Sequence, residues 1–291
     1  MSSLNAVRSI LFVPGSRPEF LPKAAAAGAD ALVLDLEDSV APQAKDAARV
    51  HVAGALRQSP ERLTFLRINH PGLGALDRDL AVLAPHPMQA VIVPKAEAVD
   101  DVRRVDRLLA DFERANRLQA DAISIMVVVE SSLGLRNLFD LIRAAPRVRG
   151  AALASAEEGD FIVDIGGRWT PDGTALAYAR GKFVCDARAA KALWLMDGAF
   201  MNLASAEALE CESQLARTCG FNGKMAIHPR QVEVINKVFS PTAEEIERAR
   251  KLLEAFRAAE AQGRGAVQFQ GMMVDYANVK RAEQILAFAR G

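Results

Sequence analysis

An α/β protein built as a TIM (β/α)8 barrel with a C-terminal helical extension is what this sequence predicts, and three observations predict it. Short apolar, β-branched runs alternate with longer helical patterns, and eight such runs can be counted. Their near-continuous apolarity is what a strand buried on both faces requires. Carboxylates also stand just past the ends of several runs, above all Glu130 after IMVVV and Asp160 after GAALASAEEG. Acids at the carboxyl ends of barrel strands read as catalytic or metal-binding.

Taken in order, the expected strands are 9–15, 31–37, 63–69, 90–95, 124–130, 151–156, 199–203 and 224–229. Between them, helical patterns cover 18–27, 42–57, 98–117, 133–145, 174–196 and 205–218, the second opening at Pro42, a favourable first helical position. An open, doubly wound sheet shows the same alternation. No GxGxxG follows the first strand, however, and the strand count favours closure. Beyond the eighth strand come a charged helix, TAEEIERARKLLEAFRAAEAQ, and a Gly-containing tail. Residues 1–240 are therefore assigned to the barrel and 241–291 to a C-terminal helix and lid-like extension.

Composition bounds the function. The 291 residues are 51% hydrophobic and 25% charged, with 36 basic and 36 acidic side chains, which suits one large core. A formal net charge of zero argues against nucleic acid or an anionic membrane as the main partner. Cys185, Cys211 and Cys219 have neither CxxC spacing nor an even count, so packing in a reducing compartment is expected rather than disulfides or zinc. The opening apolar run is too short for a signal peptide, and no stretch approaches the ~18 apolar residues of a membrane span. A cytoplasmic protein is expected.

Several residues carry chemistry. Glu130 and Asp160 suffice as the protein's share of a Mg2+ site, since that ion commonly takes one or two carboxylates and leaves its other positions to water and substrate. The competing reading makes Glu130 a cap for the helix near Ser131–Ser132 and Asp160 a loop acid. Arg67 ends the third strand; its planar fork suits a carboxylate or a developing enolate oxygen, or else a helix acid. In LDLEDSV, alternation puts Asp35 and Glu37 on one side and Asp38 opposite, if the strand runs that far, and Asp35 is read as a barrel-interior or loop-ordering acid. Lys95 is read as polar support for the acids rather than a Schiff-base lysine. Arg17 and Lys23 lie beside a helix start after the first strand, a reasonable place for coenzyme phosphates or simply for solvated charge. His228 is read as a structural residue of the turn before Pro229.

RSILFVPGSRPEFLPKAAAAGADALVLDLEDSV, LRIN followed by Asp79, VIVPKAE, VVESSLGL, GDFIVDIGG, GFNGKMAIHP and GMMVDYANVKRAEQIL occur in that order. Together they resemble the motifs of the citrate lyase β-subunit-like proteins of the HpcH/HpaI aldolase and citrate lyase superfamily. The resemblance implies a TIM barrel, Mg2+, a coenzyme A thioester as substrate, and reversible carbon–carbon cleavage of a 3-hydroxyacyl thioester to a keto compound and an acyl thioester. It implies that Glu130 and Asp160 hold the metal, that Arg67 stabilises the enolate, and that Arg17 and Lys23 meet the coenzyme. Glu37 and Asp38 are placed at the mouth, Glu37 as a site residue. Asn69 is read as holding its loop, and Asp79 as a recurrent acid that orders it. It further implies that the tail packs over a neighbouring barrel in a homotrimer or a multiple of it, with Asp275 as the catalytic acid/base there; a helix cap on its own chain is the competing reading. Two departures are visible: Gly159 where the family usually has an acid, which leaves Glu157 and Glu158 in doubt, and Tyr276–Ala277 after Asp275. A pyruvate-type class II aldolase without coenzyme A, or a citrate lyase subunit acting on an acyl carrier protein, stays open.

Overall fold

The computed structural model describes residues 7–58, 62–86 and 89–289. The chain divides into two compact units, Val7–Lys237 and a second that begins at Val238.

In the first unit eight parallel strands close into a barrel in sequence order. They are β1 (Ser9–Pro14), β2 (Ala31–Asp35), β3 (Thr64–Arg67), β4 (Gln89–Val93), β5 (Ser124–Val129), β6 (Val148–Leu153), β7 (Trp194–Asp197) and β8 (Gly223–Ala226), and β1 pairs with both β2 and β8. Around them run α1 (Leu21–Ala25), α2 (Lys45–Gln58), α3 (Leu76–Leu80), α4 (Val99–Ala115), α5 (Ser132–Arg143), α6 (Asp160–Asp164), α7 (Ala177–Ala189), α8 (Ala206–Cys219) and α9 (Pro229–Phe239).

β2, β4 and β5 are buried at every residue, which is why their sequences show no polar alternation. Period two still sorts the side chains. Phe65 of β3 and Trp194 of β7 meet edge to face across the interior, centroids 5.2 Å apart. Arg67, two residues after Phe65, therefore emerges on the interior face at the mouth, beside Asp35, its register partner on β2. Gly150 of β6 makes this packing possible: a Cβ there would lie 2.6 Å from the Trp194 Cβ.

The expected strand at 199–203 is corrected. Those residues form a loop in which Met201 and Leu203 are exposed, and the seventh strand lies earlier, inside the stretch expected to be helical to 196. α7 stops at Ala189, and Lys191 adopts a left-handed φ of 64° before the chain turns into β7. The run WLMD is short and ends in an acid, so it carries little apolar signal. Asp197 is nevertheless completely buried, pointing outward to Arg180 of α7 at 3.0 Å, Lys224 of β8 at 2.8 Å and Ser155 at 2.8 Å. Glu212 of α8 pairs with both cations and completes a neutral set of four charges. β6 begins at Val148, ahead of the expected 151, and β8 ends at Ala226, since Pro229 opens α9.

The second unit holds α10 (Ala243–Glu260), a hairpin of β9 (Val267–Phe269) and β10 (Met272–Val274), and α11 (Tyr276–Phe288). α10 opens on a capping box between Thr242 and Glu245. The hairpin, which falls in the stretch the sequence marks only as Gly-containing, turns on Gln270 and Gly271 with φ of 48° and 81°, the double positive φ of a two-residue hairpin turn. Val279, Ile285 and Leu286 of α11 pack against a cluster formed by Leu252, Leu253, Phe256, Val274 and Ala282. Because α10 already covers it, the apolar stripe of α11 does not by itself demand a partner subunit. No helix among the described residues is long and apolar enough to cross a membrane.

Candidate active site at the barrel mouth

Side chains from five consecutive strand ends, β2 to β6, converge at the mouth. Asp38 follows β2, Glu130 follows β5 and Asp160 opens α6 after β6; one carboxylate oxygen from each lies within 4.8 Å of the others. A hard divalent cation with oxygens at 2.0–2.1 Å draws such a set to separations of roughly 3–4 Å, so the donors fit one after a small contraction. Glu130 is not the cap of α5. Ser131 takes that place, accepting from the Gly134 amide at 3.1 Å, which leaves the Glu130 carboxylate to the mouth. Its surroundings push its pKa up to about 7, first through burial and then through the nearby charge of Glu37. Such a carboxylate lacks a full counter-charge.

Arg67 is the fixed cation. Its Nε and Nη2 donate to the two oxygens of Asp35, each at 2.7 Å, and its Nη1 lies 3.1 Å from Glu37. The guanidinium also sits over the Phe12 ring at 4.9 Å. Burial works against ionisation of Asp35, yet Arg67, with the Ser39 hydroxyl and the Glu37 amide, holds it below the usual carboxylate range. Asp35, read from sequence as a bland interior acid, is thus the group that orients Arg67. β2 ends at Asp35, so strand alternation does not extend to Asp38, and Glu37 and Asp38 both turn toward Lys95.

Lys95 sits among the acids as polar support. Its Nζ is 2.9 Å from Glu37, 3.0 Å from Asp38 and 3.2 Å from Asp160, while its backbone amide donates to Glu130 at 3.0 Å. Burial pushes Glu37 up despite Arg67 and Lys95; Asp38, less buried, is held down by Lys95.

A second layer fixes the loops. Lys45 donates at 2.7 Å to the carbonyls of Leu36 and Glu37 and to Asn69. Asn69 in turn donates to buried Asp79 through its amide and side chain, and Arg49 holds the other Asp79 oxygen. Asp79 therefore orders the loop. A cavity of about 440 Å3 borders Glu37, Asp38 and Lys95 on one side and Lys45, Asn69 and His70 on the other, in the size range of small-molecule sites.

The remaining candidates of the first unit are not part of this cluster. Arg17 and Lys23 are exposed on the segment after β1; Arg17 lies 4.5 Å over the Phe20 ring and pairs with Glu19. Burial, then Lys23 and Arg230, lower the His228 pKa, and its Nδ1 accepts from the Arg230 amide in the turn that starts α9. Glu157 and Glu158 are exposed and outside the carboxylate set. Asp275 belongs to the second unit, where it is the N-cap of α11: it accepts from Ala277 at 2.9 Å, and Asn278 accepts from its amide at 3.0 Å.

Comparison with known proteins identifies relatives of the chain as a whole. Residues 8–229 match the model of the HpcH/HpaI aldolase/citrate lyase family, and residues 181–290 match that of a carbon–carbon bond lyase of the TIM-barrel fold. The citrate lyase subunit beta of Leuconostoc mesenteroides subsp. cremoris is 34% identical, over 97% of this chain and 93% of its own length. The L-malyl-CoA/beta-methylmalyl-CoA lyase of Cereibacter sphaeroides is 33% identical, over 96% and 93%. Among solved structures, CitE of Mycobacterium tuberculosis in complex with magnesium, acetoacetate and coenzyme A superimposes with a TM-score of 0.80 at 31% identity, covering 98% of this chain and 99% of that one.

Proposed function

The chain belongs to the HpcH/HpaI aldolase/citrate lyase family, whose members here are carbon–carbon lyases, and from that premise we propose that it cleaves a 3-hydroxyacyl thioester of coenzyme A, with Mg2+, into a keto acid and an acyl thioester. The observation that carries this reading is the pairing of an oriented arginine with three convergent carboxylates at one barrel mouth. Glu130 and Asp160 would hold the ion, with Asp38 close enough to join directly or through water. When bound, Mg2+ supplies the charge that polarises substrate oxygens.

The protein's own groups then divide the work. In the cleavage direction a carboxylate takes the proton of the 3-hydroxyl, and the carbon–carbon bond breaks to release the keto acid. The bonding pair passes into the thioester as an enolate, which is protonated at carbon. A guanidinium has five N–H donors; Arg67 commits two to Asp35 as hydrogen bonds and turns Nη1 to Glu37 as an ion pair. Two remain to meet the developing oxyanion without any reorganisation of the side chain. Glu37, held between Arg67 and Lys95, keeps that fork in plane.

Asp275 is assigned the acid/base role from a neighbouring subunit, in a homotrimer or a multiple of it. What supports this is its exposed setting among Met272, Met273 and Tyr276, an apolar patch around one acid. Arg17 and Lys23 are assigned to the coenzyme phosphates, supported by their exposure and positive charge. Three free cysteines suit a reducing cytoplasm.

The test is a panel of 3-hydroxyacyl-CoA thioesters, malyl-CoA and citramalyl-CoA included, assayed with Mg2+ and after chelation. Cleavage of at least one, lost on chelation, is expected. Cleavage of free 3-hydroxy acids alone would replace this reading with a pyruvate-type aldolase, and activity confined to carrier-protein thioesters with a citrate lyase subunit.

A further inference from the structure

We propose that Lys95 is an internal counter-cation of the acid cluster, holding its carboxylates together in the metal-free protein and competing with the divalent ion for them. The inference rests on the metal reading given above and concerns what this lysine does to it.

Lys95 touches four acids of the mouth, Glu37, Asp38, Glu130 and Asp160. Its three ammonium donors face Glu37, Asp38 and Asp160 at 2.9, 3.0 and 3.2 Å, and its amide faces Glu130 at 3.0 Å. Two of the three ammonium partners, Asp38 and Asp160, are themselves donors in the convergent set. Its backbone has a left-handed φ of 49°, an uncommon conformation for a residue other than glycine. Arg67 shares only Glu37 with it; its other partner, Asp35, is outside the convergent set.

Geometry makes the two cations rivals. An ion about 2.1 Å from the Asp38 oxygen that Lys95 meets at 3.0 Å can stand no further than about 5 Å from the ammonium. Like charges at that range in a half-buried site repel, so the ammonium must swing away as the ion enters. It has the means, with a flexible four-carbon stem and 37% of its side chain exposed.

The measurement is calorimetric titration of Mg2+ into the intact protein, with thermal unfolding in chelator alongside. Lys95→Asn removes the charge and tolerates the left-handed backbone. It is expected to bind Mg2+ about tenfold more tightly or better and to unfold at lower temperature than wild type when metal-free. Lys95→Arg, which keeps the charge, should bind as wild type does. Where Lys95→Asn does not fold without metal, Lys95→Gln is judged by the same criterion. Measurable binding by wild type with equal or weaker binding by both neutral variants overturns the inference and leaves the metal site standing. No binding by wild type overturns both.

Discussion

Asp35 grips Arg67 through two parallel hydrogen bonds of 2.7 Å, Nε to Oδ1 and Nη2 to Oδ2, with Asp35 fully buried. The pair is adjacent in register between β2 and β3, so the barrel itself aims the guanidinium. Asp35→Asn breaks both the fork and the charge balance. Removing one partner of a buried pair costs about 3 kcal/mol of stability or more. Turnover should fall while the KM for the thioester changes little; denaturant unfolding and steady-state kinetics check the two halves separately.

Arg67→Lys keeps the charge and loses the planar fork. Since the proposed contact is strongest in the transition state, the barrier should rise by roughly 2–4 kcal/mol with substrate affinity nearly unchanged. Wild-type turnover in this variant would mean that Arg67 serves structure alone.

Glu130 predicts a pH dependence. Its pKa rises from 4.5 unfolded to about 7 folded, so the folded metal-free protein binds the extra proton between those values. This contribution to stability is fully present below about pH 4.5 and is lost as pH rises toward 7, a span on the order of 3 kcal/mol. In chelator, Glu130→Gln should flatten that slope across the window and stabilise the protein at neutral pH. The same substitution, like Asp160→Ala, should abolish Mg2+ binding in calorimetry while leaving the barrel folded.

Asp275→Asn separates capping from chemistry, because asparagine caps a helix as well as aspartate does. The unfolding free energy should stay within about 0.5 kcal/mol of wild type while turnover collapses. Mixed with Glu130→Ala subunits, the variant should recover partial activity, since some hybrid sites then combine an intact acid cluster with an intact Asp275. Full activity of Asp275→Asn alone would reduce Asp275 to the N-cap that its hydrogen bonds to Ala277 and Asn278 describe.

Much of this molecule can be read from its sequence, and where reading fails the causes are physical. β2, β4 and β5 announce themselves because burial on both faces leaves apolar runs. β7 does not, because Asp197 is paid for by partners from α7, α8 and β8 that no local pattern displays. Glu130 and Asp160 stand out as acids after apolar runs. Lys95 is legible as support for the acids, whereas Asp35 hides in the same kind of strand end, since its importance lies in the arginine that barrel closure sets opposite it. The β9–β10 hairpin escapes because its turn uses Gln270, a residue with no special liking for positive φ.

The closed quartet of Asp197, Arg180, Lys224 and Glu212 restricts how this barrel can be rebuilt. Its two positive and two negative charges are each nearly or wholly out of solvent. Any route that changes them singly passes through an uncompensated buried ion costing about 3–5 kcal/mol, a large share of the 5–15 kcal/mol that typically separates folded from unfolded chains. Chimeras that join this barrel to another will therefore tolerate a crossover outside the stretch from α7 to β8 far better than one within it. Those elements are inherited together or replaced together.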